Sequence, residues 1–277
     1  MKLHYTIITT SLLLSVMLLF LTGLYTTWYW WFLLIPFYIG FHAGILICYV
    51  LFIAIYSFFL KIFTKNDQTP KPRKFYYGIV RETAIVLLIL SRVKIHKKNT
   101  ELLPKKERFL YIANHQSNFD PMIAFASVHN NPLICVTKPE NLEIPVAGNW
   151  IRYGGFIPIN RENNVEAVKS IILASKYIKN DLASIAIYPE GKRNYDDELL
   201  PFHAGSFKIA YKSQAPIAIV SVKNTKQIKN RWPRKTHVYF NVLKVLNYED
   251  YKDKTTTEIA EYARNLIQED QMVKEAK

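Results

Sequence analysis

The fold of this chain is decided by one strand, one loop and one helix start, which follow each other in residues 109–121, FLYIANHQSNFDP. Residues 109–113 are apolar and rich in β-forming side chains, which predicts a buried strand. An aspartate at the N-cap followed by proline is a good helix start, and a residue before proline is disfavoured in the α region, so a helix is predicted to begin at Asp120-Pro121. Residues 115–120 are therefore expected to form a loop at a strand end, where α/β folds carry reactive groups.

The rest of the sequence after Glu107 repeats this alternation of strand and helix patterns. Apolar, β-branched runs predict further strands at 133–137, 184–188, 217–222 and 237–246. The spacing of apolar side chains predicts helices at 121–128, 164–178 and 207–212, and a polar helix at 257–273. Strands that alternate with helices are typical of the α/β class.

The loop carries a histidine and an aspartate five residues apart, His115 and Asp120. In a continuous helix this spacing would point the two side chains apart, but a loop lets the Asp120 carboxylate fold back onto the His115 ring. A carboxylate on one ring nitrogen fixes the tautomer and leaves the other nitrogen to accept a proton from an alcohol, so the pair is a candidate general base. In the alternative, purely structural interpretation, Asp120 only caps the helix and His115 is an ordinary loop residue.

A second strand end also carries clustered charge. The apolar strand 184–188 runs into the glycine turn Pro189-Glu190-Gly191-Lys192-Arg193. A guanidinium offers a planar fork of donors that matches phosphate oxygens, so Arg193 is a candidate phosphate ligand. We expect Glu190 to hold that fork or to bind a glycerol hydroxyl; the alternative is a surface turn with an ordinary ion pair.

The first 60 residues are compatible with a hydrocarbon environment, because no Lys, Arg, Asp or Glu lies between His4 and Lys61. One membrane span needs about 20 apolar residues, so the run predicts two helices with a turn at 22–27. The aromatic cluster at 28–31 is expected at one membrane interface. Basic residues flank both outer ends, so the positive-inside rule places those ends and the following chain in the cytoplasm: Lys2 on one side, and Lys61, Lys65, Lys71, Arg73 and Lys74 on the other.

Two further points concern the chain before the strand–helix alternation. In one alternative the first apolar run is a cleaved signal peptide, although no clear small-x-small cleavage site follows residues 18–20, and the second span would still leave the following chain in the cytosol. The apolar stretch 84–90 is too short to cross a membrane and predicts an interfacial or domain-packing helix after a linker at 66–74. The expected division is a membrane-anchoring helical hairpin at 1–62, a linker with an interfacial helix at 63–100, and a catalytic domain at 101–277.

Charge and cysteine content narrow the function further. From Lys61 onward, 35 basic and 22 acidic residues give a formal charge of +13. Such a domain beside a membrane is expected to sit on anionic headgroups and to attract phosphorylated or CoA-linked substrates. No nucleic-acid partner is expected, because the charge is not accompanied by a basic helix or an aromatic RNA-binding motif. The only cysteines, Cys48 and Cys135, have neither a pairing framework nor metal-ligand spacing, so no metal is expected.

The two charged loops together resemble the NHxxxxD and FPEGTR blocks of the glycerolipid acyltransferase superfamily, and in particular the 1-acylglycerol-3-phosphate acyltransferase family. A third block of that family is similar to Lys138, Pro145, Gly148, Arg152 and the run GFIPINR at 155–161. A weaker match is APIAIV at 215–220, against the family's VPxxPV strand. Ile219 departs from the second proline of that strand. Lys192 stands in place of the threonine of EGTR, and Asn194 stands where serine often follows; these two departures bear on the acceptor and leave the base and the phosphate arginine in place.

The resemblance, which covers about residues 111–222, implies a mixed sheet flanked by helices behind an N-terminal transmembrane hairpin, and acyltransferase chemistry at 101–277. It implies transfer of an acyl group from acyl-CoA or acyl-carrier protein to the sn-2 hydroxyl of 1-acylglycerol-3-phosphate, giving phosphatidic acid, without a metal or other cofactor. His115 would be the base that Asp120 orients. The substrate-binding residues would be Arg161 and Arg193 at the acceptor phosphate, Glu190 and Gly191 in the same block, and Lys138 near the oxyanion.

Other functions remain open at this stage. A different acceptor would keep the fold: glycerol-3-phosphate, another lysophospholipid or a lyso-aminolipid. A serine hydrolase is disfavoured because the sequence has no G-x-S-x-G elbow around Ser117 or Ser206. A non-enzymatic membrane scaffold is disfavoured by the intact His115, Asp120, Glu190 and Arg193. No chemistry is assigned to His42, His129 or His203.

Overall fold

The computed structural model describes residues 2–63, 72–129, 132–196 and 198–273. The chain forms two compact units, one containing the N-terminal helices and residues 145–149, and the other the remaining residues from 72 onward. Two of the expected flanking cations, Lys65 and Lys71, and most of the expected linker at 66–74 lie outside the described residues.

The first unit is built on two long apolar helices, α1 (Lys2–Leu21) and α2 (Leu34–Phe63), which contact each other. Short 3-10 helices at Leu24–Thr26 and Trp28–Leu33 connect them, and Gly23 supplies the positive φ of 71° that this turn requires. By length and composition, Lys2–Leu21 and Trp28–Leu60 are each apolar enough to cross a membrane. The predicted pair of apolar helices with a turn near 22–27 is therefore present.

The buried side of α1 is a stripe of residues spaced four apart, Ile7, Ser11, Ser15 and Leu19. The Ser11 and Ser15 hydroxyls donate to the carbonyl oxygens of Ile7 and Ser11, each at 2.7 Å. Because these hydroxyls bond within their own helix, they are satisfied in apolar surroundings, and their small size suits close helix packing.

The second unit is a seven-stranded sheet in the order β1-β7-β6-β2-β5-β3-β4. Its strands are β1 (Val93–Lys98), β2 (Leu110–Ala113), β3 (Leu133–Thr137), β4 (Ile157–Pro158), β5 (Ser184–Ile187), β6 (Ile217–Lys223) and β7 (Thr236–Leu246). All pairs are parallel except β6 with β7, whose antiparallel register shifts between Ile219 and Val220. The predicted mixed sheet is confirmed.

The helices of this unit are α3 (Lys74–Leu90), α4 (Asp120–Ser127), α5 (Ala147–Tyr153), α6 (Asn164–Lys179), α7 (Lys208–Ser213), α8 (Ile228–Arg231), α9 (Tyr248–Tyr251) and α10 (Thr256–Met272), with the first three residues of α5 grouped in the first unit. The central strands β2, β5 and β6 are buried along their whole length. Parallel strands buried on both faces read as continuous apolar runs, which is why these three were recognisable in the sequence.

Several elements differ from the sequence expectation. The predicted strands and long helices are present, with ends that move by one or two residues, and the helix at 84–90 is the second half of α3. Strands β1 and β4 and the short helices α5, α8 and α9 were not predicted. β1 is an edge strand with three lysines, and β4 has only two residues, so neither has the apolar pattern of a strand. Because β1 pairs with β7 and α3 contributes Ala84 and Leu88 to the main core, residues 72–100 form part of the sheet-containing unit instead of a separate linker.

Candidate active site

The His115 ring and the Asp120 carboxylate meet just beyond the C-terminal end of β2. His115 Nδ1 lies 2.8 Å from Asp120 Oδ2. Asp120 is 1 % exposed, whereas the His115 side chain is 20 % exposed. The geometry assigns the Nδ1 hydrogen to the bond with Asp120, so Nε2 is the nitrogen left to accept a proton.

Asp120 also closes the loop that carries the histidine. Its Oδ2 accepts the backbone N–H groups of Gln116 and Ser117, each at 2.7 Å, and its Oδ1 accepts the hydroxyl of Thr225. Helix α4 begins at Asp120 itself, one residue earlier than predicted, and the N-cap residue Phe119 makes no side-chain cap. The expected helix-capping role is therefore not observed; the carboxylate binds the loop that precedes the helix.

The loop after β5 holds His115 from its other side. The His115 and Tyr188 rings stack with centroids 4.7 Å apart and an interplanar angle of 26°. The backbone N–H of His115 donates to Glu190 Oε1 at 2.7 Å, and the His115 carbonyl accepts from the Asn194 N–H at 2.7 Å. Because β2 and β5 are neighbouring parallel strands, the two charged loops that follow them meet at one edge of the sheet.

Glu190 is a structural ligand of backbone groups in this arrangement. It is 3 % exposed, and its second oxygen accepts the Leu200 N–H at 3.2 Å. Burial raises the pKa of Glu190, while the hydrogen bonds from the His115 and Leu200 N–H groups oppose this rise. The sequence-based expectation was that Glu190 holds an arginine fork or a substrate hydroxyl, but its oxygens hold the two loops together.

Two arginines flank the turn after β5. Arg161 donates to the Gly191 carbonyl oxygen, and Arg193 Nη1 donates to Asn118 Oδ1 at 3.0 Å. Both arginine side chains are exposed. Asn118 belongs to the His115 loop, so Arg193 lies beside the candidate base.

Gly191 is required by both backbone conformation and space. Its φ is 80°, a region that favours glycine, and a Cβ there would meet the Arg161 guanidinium and lie 3.0 Å from His203 Nε2. The missing side chain thus allows Arg161 and His203 to approach the same turn.

Lys138 is the least integrated of the predicted residues. It follows β3 and is exposed. Within the part of the chain that the structure describes, it makes no hydrogen bond or ion pair to the other predicted site residues. The structure therefore brings together His115, Asp120, Glu190, Arg193, Gly191 and Arg161, with Lys138 two strands away from β2 in the sheet order.

Sequence reasoning missed three residues that contact this site: Thr225, Tyr188 and His203. Thr225 follows the end of β6 and Tyr188 the end of β5, the two parallel neighbours of β2. Polar residues just after parallel strands meet at one edge, and this rule would have singled out Thr225 once the strand order was known. As for metals, no group of three or more His, Cys, Asp or Glu side chains that fits an ion is found among the described residues.

Comparison with known proteins finds several relatives that carry the same name. A family model described as "Acyltransferase" matches residues 94–223. The chain is 30 % identical over 187 residues to a 1-acyl-sn-glycerol-3-phosphate acyltransferase of Borreliella burgdorferi, covering 65 % of this chain and 74 % of that protein. It is 27 % identical over 226 residues to the enzyme of that name from Haemophilus influenzae, covering 81 % and 90 %.

A relative of the same name from Salmonella typhimurium is 32 % identical over 161 residues, covering 58 % of this chain and 65 % of the relative's length. Among solved structures, the 1-acyl-sn-glycerophosphate acyltransferase PlsC of Thermotoga maritima matches with a TM-score of 0.62 at 20 % identity, covering 82 % of this chain and 93 % of that one. At this identity the match supports the fold.

Proposed function

Because this chain belongs to the 1-acyl-sn-glycerol-3-phosphate acyltransferase family, we propose that it transfers an acyl group from a thioester donor to the sn-2 hydroxyl of 1-acylglycerol-3-phosphate, forming phosphatidic acid. The donor is an acyl-CoA or an acyl-carrier protein. The observation that carries the proposal is the 2.8 Å contact between His115 Nδ1 and Asp120 Oδ2, which leaves Nε2 of this partly exposed histidine as the nitrogen that can accept a proton.

In the proposed reaction, His115 Nε2 accepts the proton of the acceptor hydroxyl as its oxygen attacks the thioester carbonyl carbon. Asp120 fixes the tautomer and stabilises the imidazolium that forms. The tetrahedral intermediate then collapses, the C–S bond breaks, and the departing sulfur takes the proton from His115. The products are the ester and a free thiol, so atoms and charge balance without a covalent acyl-enzyme.

The arginines beside this loop support a phosphorylated acceptor. Arg161 and Arg193 are exposed next to Gly191 and Asn118, and their guanidinium groups suit the oxygens of a phosphate monoester. Lys138 follows β3, two strands from β2, and its role rests on the family resemblance alone: we propose that its ammonium group stabilises the negative charge on the former carbonyl oxygen. Glu190 and Gly191 shape the same site by fixing the two loops and leaving room for Arg161.

Both acceptor and product are lipids, and the proposal includes a membrane anchor. The apolar helices α1 and α2 suit two spans, with the sheet-containing unit on the cytoplasmic side. In this arrangement the acceptor reaches the site by lateral diffusion in the bilayer, and the basic surface attracts anionic substrates.

The test is acyl transfer by the purified full-length chain in detergent, with labelled acyl-CoA or acyl-carrier protein and 1-acylglycerol-3-phosphate. We expect phosphatidic acid from the wild type and a loss of at least about 100-fold in kcat for His115→Ala, in the range expected for removing a general base. The matched control is His203→Ala, which removes a histidine near the Gly191 turn instead of the candidate base. This variant should retain base catalysis. Equal turnover by wild type and His115→Ala would overturn the mechanism; turnover only with glycerol-3-phosphate or another lysolipid would overturn the acceptor.

A further inference from the structure

A cleft opens on the β6 side of the His115 loop. β2 lies between β5, which leads to Glu190 and Arg193, and β6, which leads into a cleft of about 1140 Å³. Gln116, the residue after His115, lines this cleft. The cleft therefore begins next to the candidate base and extends across the end of β6 and the start of the antiparallel β7.

Three nearly parallel aromatic rings lie at the far end of the cleft: His237 and Tyr239 on β7 line it, and His96 on β1 stacks against both. His96 lies nearly parallel to both, with centroid distances of 5.0 Å and interplanar angles of 18° to His237 and 23° to Tyr239. His96 Nε2 and His237 Nδ1 are 2.9 Å apart, so one ring donates to the other. We call these three residues the ring platform.

Cations surround the ring platform. Lys94 is the cross-strand partner of His237, and Lys226 and Arg231 line the cleft. Partial desolvation and the neighbouring His96 lower the pKa of His237, and the positive charges of Lys94, Lys235 and Arg231 lower it further. The acidic residue that lines the cleft, Glu198, pairs with Arg264 at 3.3 Å. The charged side chains that act on His237 are all cations, so the ring platform lies in a positive field that favours a bound anion.

We propose that the ring platform and its surrounding cations bind the phosphorylated adenosine end of a coenzyme A thioester. A purine base stacks on aromatic rings without needing a specific hydrogen-bond pattern, and Lys and Arg are the usual partners of its phosphates. The acceptor phosphate already has cations on the β5 side of His115. Donor and acceptor then approach the base from opposite neighbouring strands, and this assignment rests on the acyl transfer proposed above.

The distance suits a donor of this shape. His237 lies two strands from β2 and about three residues beyond the level of His115, which at about 4.8 Å per strand and 3.3 Å per residue separates them by roughly 14 Å. In a coenzyme A thioester, a flexible pantetheine arm of comparable extent separates the nucleotide from the reacting carbonyl. The arm would lie along the cleft past Gln116.

The experiment compares donors with and without the nucleotide, using full-length protein in detergent. The variants are the double change Lys94→Gln with Arg231→Gln, which removes charge, and His237→Ala, which removes a ring. Lys176→Gln on α6, an exposed lysine outside the cleft, is the control with the same change in chemistry. We expect the KM for acyl-CoA to rise about tenfold or more in the variants, the size expected for losing a hydrogen bond to a charged group, with kcat little changed. The KM for the matching acyl-pantetheine should stay the same.

Equilibrium titration with free coenzyme A separates this proposal from the proposed reaction, because it needs no turnover. Binding that weakens in the variants and not in Lys176→Gln supports the platform even if no acceptor is acylated. Equal losses with acyl-CoA and acyl-pantetheine would overturn it. So would a loss confined to acyl-carrier protein, which would assign the surface to a protein partner, or a loss that appears only with vesicles containing anionic phospholipid, which would assign it to the membrane.

Discussion

At the scale of single residues, the Asp120 carboxylate links chemistry and loop structure. Its Oδ2 accepts hydrogen bonds from His115 Nδ1 and from two backbone N–H groups of the same loop. Its Oδ1 accepts a hydrogen bond from the Thr225 hydroxyl. A buried carboxylate needs several donors, because an unsatisfied charge in the interior is costly. The same four donors therefore fix both where the carboxylate lies and where the histidine ring points.

Thr225 should act as a positioning residue through this carboxylate. Thr225→Val keeps the volume but removes the donor to Asp120, so the carboxylate is held less firmly. We expect kcat to fall about tenfold, the effect of losing one hydrogen bond to a charged group, with the KM for both substrates nearly unchanged. Thr225→Ser restores the donor and should restore most of kcat in steady-state assays. A Thr225→Val enzyme with wild-type kcat, or one that serine does not rescue, would contradict this role.

Gly191 should tolerate no side chain. In Gly191→Ala the added Cβ would meet the Arg161 guanidinium and approach His203, at a φ of 80° that disfavours alanine. We expect a stability loss of about 1–2 kcal/mol from the backbone conformation and displacement of Arg161, seen as a higher KM for the lysophospholipid acceptor. Gly205→Ala is the matched control, since a Cβ at that position has no neighbour within 4 Å. Equal acceptor KM values for the two variants would contradict the prediction.

At the scale of elements, α10 closes the cleft side of the sheet and is anchored at its start by a capping box. The Thr255 hydroxyl accepts from the Glu258 N–H, and the Glu258 carboxylate accepts from the Thr255 N–H. Thr255→Ala should therefore lower the free energy of unfolding by about 1 kcal/mol, measured by thermal or denaturant unfolding. Thr257→Ala, on the exposed first turn, should have little effect; equal losses in the two variants would contradict the capping role.

The capping box also predicts a pH dependence. Its hydrogen bonds with the Thr255 side chain and backbone lower the pKa of Glu258 below its ordinary value. A carboxyl group with a lowered pKa in the folded state contributes stability above its unfolded pKa and loses that contribution as the pH falls through the folded pKa. The stability difference between wild type and Thr255→Ala should thus be full at neutral pH and shrink in acid. A difference that stays constant down to acid pH would assign the effect to the hydroxyl alone.

How far the sequence predicts these elements depends on burial. The strands β2, β5 and β6 are buried throughout, so their apolar runs and the charged loops at their ends could be recognised directly. β1 could not be, since an edge strand half exposed to solvent can carry lysines. The contact between Thr225 and Asp120 spans 105 residues of sequence, and it follows only from the order of strands in the sheet. For the same reason, the ring platform on β1 and β7 could not be predicted from local patterns.

At the scale of the whole molecule, the membrane topology of the apolar helices decides on which side of the membrane the basic sheet-containing unit lies. If both helices span, an even number of crossings returns the chain to its starting side, and the cations near Lys2 and Arg73 place that side in the cytoplasm. Single reporter cysteines can test this in a Cys48→Ser background. The remaining Cys135 is buried, and burial raises the pKa of its thiol, so it should react little.

We expect a membrane-impermeant thiol reagent to label Tyr25→Cys, in the turn between α1 and α2, in intact cells. Lys176→Cys on α6 should be labelled only after the membrane is permeabilised if, as we propose, the site around His115 faces the cytoplasm. Both positions are exposed in the structure, so a difference in labelling reports the side of the membrane and not burial. Labelling of Lys176→Cys in intact cells would contradict the cytoplasmic site. Labelling of both cysteines only after permeabilisation would instead mean that the two apolar helices do not cross the bilayer. The enzyme would then have to bind its lipid acceptor from the cytoplasmic surface of the membrane.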